Sequence, residues 1–380
     1  MSANEEVRPF RLEVPECELI ELRERLARVH WAPQPVGSDQ GCDVPVARVR
    51  ELVEHWRDRY DWRAWESRIN AYPQFTTTID GTNVHFLHVR SPEAAALPLI
   101  LTHGWPGSVV EFLGLVGPLS DPRRHGLDAA VAFDLVVPSL PGSGFSGPTP
   151  DTGWGPVRIA NAWATLMHRL GYRRYGAAGN DWGSYISPEL GRLAPDEVVG
   201  VHVTQIFSRP DGELPYVSPT TDPPELASLS PDDREAMAEL RWMQRSFACY
   251  HHVHAQKPQT LAHALADSPA GLLAWNSQVM GDLDPDVLLT HVSVHWLTGT
   301  AGSAIRIYAE DEREETPAEP TTVPLGLAQF RDDAHAIRAY AERDHANIVS
   351  WNVYDTGGHY AGHQAPELLV ADIRRFFSSL

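Results

Sequence analysis

The run Gly179-Asn180-Asp181-Trp182-Gly183-Ser184 stands between a mostly apolar, strand-like stretch, Arg174-Tyr175-Gly176-Ala177-Ala178, and a helical one. Small residues on both sides of Asp181 suit a sharp strand-to-helix turn, because larger side chains would collide in so tight an elbow. Such an elbow holds its side chain at a helix N-terminus, where backbone N–H groups without helical partners favour negative charge. Asp181 therefore reads as an ionised nucleophile. The alternative reading is a plain helix N-cap, a place aspartate also favours.

Outward from this elbow the chain alternates strand and helix. Leu99-Ile100-Leu101-Thr102, Phe133-Asp134-Leu135-Val136-Val137, residues 174–178 and residues 199–204 read as apolar strands of a parallel sheet with crossover helices. The rhythm breaks over residues 208–232, rich in proline and acidic residues, and helical, aromatic-bearing segments follow to about Pro317. An insertion placed there reads as a lid. Strands resume at Thr321-Thr322-Val323-Pro324-Leu325-Gly326 and at Ile348-Val349-Ser350-Trp351-Asn352-Val353, and a last helix presents Leu369, Ile373, Phe376 and Phe377 to one side.

Upstream, Leu19, Leu22, Leu26 and Val29 recur at helical spacing, as do Val49, Leu52, Val53, Trp56 and Tyr60. These predict two amphipathic helices packed on the body, separated by a loop through Pro33, Pro35 and Gly41. Trp62, Trp65 and Tyr72 read as core, and Phe75 to Val89 as a hairpin turning at Asp80-Gly81. The division is then 1–90, an N-terminal helical extension with the first hairpin; 91–205, the first part of an α/β core; 206–318, a helical lid; and 319–380, the second part of the core.

A chain of 380 residues carrying net charge −19, with no basic block, argues against nucleic acid or an anionic membrane as partner. The polar, acidic start and the absence of a long apolar run predict a soluble cytoplasmic protein. Cys17, Cys42 and Cys249 are odd in number and far apart, as reduced thiols would be.

Two further motifs carry chemistry. Gly357-Gly358-His359 places one of the 18 histidines in a glycine-flanked loop just past the last strand, where an α/β-hydrolase fold holds its base. His103-Gly104-Trp105-Pro106-Gly107-Ser108 follows the strand ending at Thr102, so the N–H groups of Trp105 and Trp182 would pair as an oxyanion hole. A simple βα turn would use the same Gly and Pro.

Together with Trp31-Ala32-Pro33, residues 137–146 (Val-Pro-Ser-Leu-Pro-Gly-Ser-Gly-Phe-Ser) and Gly357-Gly358-His359-Tyr360-Ala361, these motifs resemble the epoxide hydrolases of the α/β-hydrolase superfamily, of the microsomal type with an N-terminal helical domain. The likeness runs from about Val7 to Phe377. It implies an α/β-hydrolase fold, a mostly parallel sheet flanked by helices, and two lid tyrosines, Tyr250 and Tyr308, that hold the epoxide oxygen. It places the acid partner of His359 on Asp333, with Asp332 as the neighbour left open and Asp355 as a weaker candidate. Asn180 departs from the usual glycine, and His251-His252-Val253-His254 is more polar than the family's segment. The expected reaction is ring opening to a vicinal diol through an ester on Asp181, with epoxide and water as partners and no metal or organic cofactor. A homodimer is compatible with the sequence.

Trp105, Trp154, Trp182, Trp242, Phe247 and Trp296 form the expected pocket wall, which points to a bulky, flat or aromatic epoxide met in secondary metabolism, such as antibiotic biosynthesis, or in detoxification. The rival reading is a haloalkane dehalogenase, which shares an aspartate nucleophile and could use Trp182 to bind halide. A serine esterase lacks its Gly-x-Ser-x-Gly here, and Gly142-Ser143-Gly144-Phe145-Ser146-Gly147 lacks the helix and acidic residue of a dinucleotide site. His251, His252 and His254 read as a polar lid wall rather than a metal set, and reuse of the fold as a binding module is the non-enzymatic alternative.

Overall fold

The computed structural model describes residues 6–34, 44–213, 222–314 and 319–380. Pro35, Gly41, Cys42, the first five residues, residues 214–221 and the expected end of the lid around Pro317 lie outside the described residues.

The described residues form nine strands: β1 (Arg8–Phe10), β2 (Gln74–Ile79), β3 (Thr82–Val89), β4 (Leu97–Thr102), β5 (Phe133–Pro138), β6 (Tyr175–Gly179), β7 (Val198–Val203), β8 (Leu325–Asp332) and β9 (Ile348–Gly358). They make one sheet in the order β1-β2-β3-β5-β4-β6-β7-β8-β9. The first four neighbours pair antiparallel and all later pairs are parallel. The β2–β3 turn has both central residues left-handed, Asp80 at φ 49° and Gly81 at φ 78°, the twist that a two-residue hairpin needs.

Three expectations change. The N-terminal ninety residues hold, besides the expected hairpin of β2 and β3, the further strand β1, and all three extend the main sheet, with β3 pairing directly with β5. β8 begins at Leu325, four residues later than expected; Pro324 has no N–H for a ladder, and Thr321 makes only an isolated bridge with His345. The helices Glu16–Ala27 and Val46–Asp58 do bury Leu19, Leu22, Leu26, Val49, Leu52, Val53 and Trp56. The second of them, however, meets the lid: the Trp56 indole N–H donates to Ser293 Oγ at 3.0 Å, and the Tyr60 hydroxyl lies 2.9 Å from Thr290 Oγ1.

The lid runs through seven helices, from Pro231–Ser246 to Ile307–Asp311. Four of them open on a proline whose missing N–H costs nothing in a first turn, and Ser230, Ser268 and Asp284 cap three of those with their side chains. No helix among the described residues is long and apolar enough to cross a membrane.

Candidate active site

β4, β6, β7, β8 and β9 are consecutive neighbours in the sheet, so the loops at their C-terminal ends meet along one edge. Asp181 follows β6, Asp333 follows β8 and His359 follows β9. Asp181 adopts φ 54° and ψ −118°, a conformation that costs a non-glycine residue on the order of 1–3 kcal/mol. The tightness of the elbow is measurable at its neighbours. A Cβ on Gly183 would stand 1.9 Å from the Thr102 carbonyl oxygen, and one on Gly104 would stand 1.9 Å from Asp181 Oδ1.

The Trp105 N–H donates to Asp181 Oδ1 at 2.7 Å, while Asp181 Oδ2 lies 3.5 Å from His359 Nε2. Trp182, as the first residue of the helix Trp182–Leu193, has an N–H with no acceptor inside that helix. On its other side, the His359 ring meets Asp333 Oδ1 through Nδ1 at 2.9 Å; a carboxylate only accepts, so the proton belongs on Nδ1. Asp333 is buried and also accepts the Ala334 N–H at 2.8 Å. Asp332 is exposed and paired with Arg331 at 3.1 Å, and Asp355 is exposed. Burial pulls the His359 pKa down, but Asp333 and Asp181 outweigh it and hold the pKa well above the usual imidazole value.

Above Asp181 the lid brings down both tyrosines. Tyr308 is buried and Tyr250 half-buried, with ring centroids 6.1 Å apart. Trp105 lies 5.5 Å from Tyr250 and 5.7 Å from Tyr308, and Trp182 lies edge-on to Tyr308 at 4.7 Å. Burial, then the nearby Asp181 charge, raises the Tyr250 pKa; burial, then Tyr250 and Asp181, raises that of Tyr308. Both phenols therefore keep their protons at neutral pH. His254 packs edge-on against Trp105 at 4.3 Å, and burial holds it neutral.

A cavity of about 100 Å³ opens over Asp181 between the lid and the core. Its walls include Trp182, Tyr185, Phe207, Met243, Phe247, Tyr250 and Tyr308, with Arg209, Glu239 and His335 as polar members. Trp182 and Phe247 thus line it and Trp105 backs the tyrosines, but the other three expected wall residues do not. Trp154 borders a separate cavity of about 280 Å³ with Asp151, Arg306 and Glu310. Trp296 packs under Arg25 of the N-terminal extension, and Trp242 is 52% exposed, stacked on Phe247.

Two buried residues near this centre escaped the sequence reading. Glu111 is 1% exposed, and one of its oxygens accepts from Asn180 Nδ2 at 2.7 Å. Burial, opposed by His359, pushes its carboxyl up to about 8, so it is mostly protonated at neutral pH. Gln205, also 1% exposed, contacts both Asp181 and Asp333. The signal for Gln205 was positional: it follows the strand lying between those that carry the two aspartates.

The family description "Epoxide hydrolase N terminus" matches residues 7–112, and "alpha/beta hydrolase fold" matches residues 98–248. A protein of Stigmatella aurantiaca named "Putative epoxide hydrolase" is 39% identical over 98% of this chain and 85% of its own length. The chain belongs to the epoxide hydrolase family. Another member, epoxide hydrolase 1 of Sus scrofa, is 30% identical, with 99% of this chain and 90% of that protein covered. The solved epoxide hydrolase of Aspergillus niger superposes with a TM-score of 0.85 at 30% identity, covering all of this chain and 97% of the other. The fold is accordingly the α/β-hydrolase fold with the N-terminal extension of this family.

Proposed function

We propose that the chain opens an epoxide to a vicinal diol through a covalent ester on Asp181. The observation carrying this reading is one carboxylate held at both ends: Oδ1 on the Trp105 amide at 2.7 Å, Oδ2 facing His359, beneath two protonated phenols. The carboxylate is itself the nucleophile, so Oδ2 attacks the epoxide carbon without a base. The carbon–oxygen bond of the ring breaks, and Tyr250 or Tyr308 gives its proton to the leaving alkoxide.

Ester formation removes the Asp181 charge, one of the two that hold the His359 pKa up. With that charge gone the imidazole gives up its proton to solvent more readily and becomes a base when a base is first needed. It takes a proton from water, whose oxygen attacks the Asp181 carbonyl carbon. The Trp105 and Trp182 amides hold the resulting oxyanion, each worth on the order of 3 kcal/mol. Collapse breaks the bond to Oδ2, the departing oxygen takes its proton back from His359, and the proton left on the Asp181 carboxyl restores the tyrosine. Asp333 keeps the imidazole in the required tautomer.

The flat rings of Trp182, Tyr185, Phe207 and Phe247 favour an aryl or otherwise apolar epoxide over a small aliphatic one. A single turnover in ¹⁸O-water with enzyme in excess over styrene oxide tests the mechanism. The expected label is on Asp181, with an unlabelled diol; label in the diol from the first turnover would mean direct attack by water.

A further inference from the structure

β7 lies between β6, which leads to the nucleophile, and β8, which leads to the acid, so a side chain just past its end reaches both. Gln205 occupies that place. Its Oε1 accepts the Asp181 N–H at 2.8 Å, the Ser184 hydroxyl at 2.8 Å and the Thr204 hydroxyl at 2.9 Å. Its Nε2 donates to Asn180 Oδ1 at 2.6 Å and to Asp333 Oδ2.

A backbone N–H only donates and a carboxylate only accepts, so these neighbours fix which end of the amide faces which way. Glutamate could satisfy the Asp181 end but would set a second carboxylate against Asp333. An apolar side chain would satisfy neither end. Asp333 Oδ1 is taken by His359 and the Ala334 amide, which leaves Gln205 as the donor that stops the carboxylate from turning at Oδ2.

We propose that Gln205 is a positioning residue for the second half of the reaction, tying the Asp181 elbow to Asp333 so that His359 stays aimed at the ester. This rests on the proposed ester mechanism. Alkylation needs Asp181 and the tyrosines, whereas ester hydrolysis needs Asp333 and His359 as well, so loosening the tie affects the second step selectively.

The test is a rapid-quench single turnover with styrene oxide, following ester and diol separately by intact mass and product analysis in Gln205→Met and Gln205→Glu. The expected result for Gln205→Met is alkylation within about 3-fold of wild type and ester hydrolysis slowed about 10- to 100-fold, so that the ester accumulates. Gln205→Glu keeps the shape and the acceptor bonds and serves if the methionine variant does not fold. In the ester, where Asp181 carries no charge, its added anion joins Asp333 in favouring imidazolium, beside the buried Glu111 and Tyr360 and, near Asp333, Glu239 of the lid and His335 of the core. The acid limb of ester hydrolysis should therefore rise by about one pH unit. Hydrolysis at the wild-type rate with an unmoved limb, or equal slowing of both steps, would overturn the proposal. A parallel His359→Gln sample separates the two ideas: no ester there would mean that the mechanism itself has failed.

Discussion

The two flanks of the lid are held in different ways. The helix Pro285–Leu297 is clasped from both sides, by Trp56 on Ser293 and Tyr60 on Thr290 from the N-terminal extension, and by Ser108 on His291 and His295 on the Gly107 carbonyl from the core. The helix Pro231–Ser246 rests its apolar face on a small separate cluster of Leu229, Ala236, Met237, Ile337 and Tyr340, is tied by Arg241 to Glu213, by Asp233 to the Arg338 N–H and by Glu239 to His335, and leaves Trp242 half in solvent. Tyr308 follows the clasped flank and is fully buried. Tyr250 follows the lightly held flank, which also supplies Met243 and Phe247 to the cavity wall. So small an apolar cluster lowers the cost of local opening, so substrate and diol should pass by the Pro231–Ser246 side while Tyr308 stays in place.

The largest expected effect comes from breaking the clasp. Trp56→Ala removes a 3%-exposed indole and its bond to Ser293, and should cost about 3–5 kcal/mol in denaturant unfolding. Met237→Ala on the other flank should cost about 2 kcal/mol and change diol release more than ester formation. Equal losses from the two would erase the distinction between the flanks. Next come the tyrosines: Tyr308→Phe should slow ester formation about 100-fold and Tyr250→Phe about 10-fold in single-turnover measurements. The reverse order would show that the movable phenol is the main proton donor.

Glu111 gives a smaller, pH-dependent effect on the fixed side of the site. Its folded-state pKa of about 8 lies above the unfolded value near 4.5, so the stability it contributes is present below about pH 4.5 and is lost as pH rises through 8. Glu111→Gln should therefore gain on wild type by ~2 kcal/mol between pH 5 and pH 6.5. A constant difference across that range would mean that the carboxyl ionises normally. The smallest effect belongs to Trp242→Ala, within about 0.5 kcal/mol in stability, with any change confined to KM.

What could be read from the sequence was local. The hairpin at Asp80-Gly81, the elbow around Asp181 and the glycine-flanked His359 each depend on residues next to one another in the chain. The three-residue β1 carries too little pattern to see, and Thr321–Pro324 has strand-forming residues but ends in a proline that cannot donate. Only part of the pocket wall was legible, because aromatic content says nothing about direction: Trp182 and Phe247 line the cavity over Asp181, whereas Trp154 turns to the second cavity and Trp296 to Arg25. Gln205 was hidden for a deeper reason. Its contacts exist only because β7 is placed between β6 and β8, and that order is a property of the whole sheet.

If Asp181 becomes an ester that His359 releases, removing the base must trap that ester. Intact mass and peptide mapping of His359→Gln after incubation with styrene oxide, and separately with a haloalkane, test it most directly. The expected result is a gain equal to the whole epoxide, mapped to Asp181 and stable because the base is gone. An adduct from the haloalkane alone, smaller by its halogen, or no adduct from either, would contradict it.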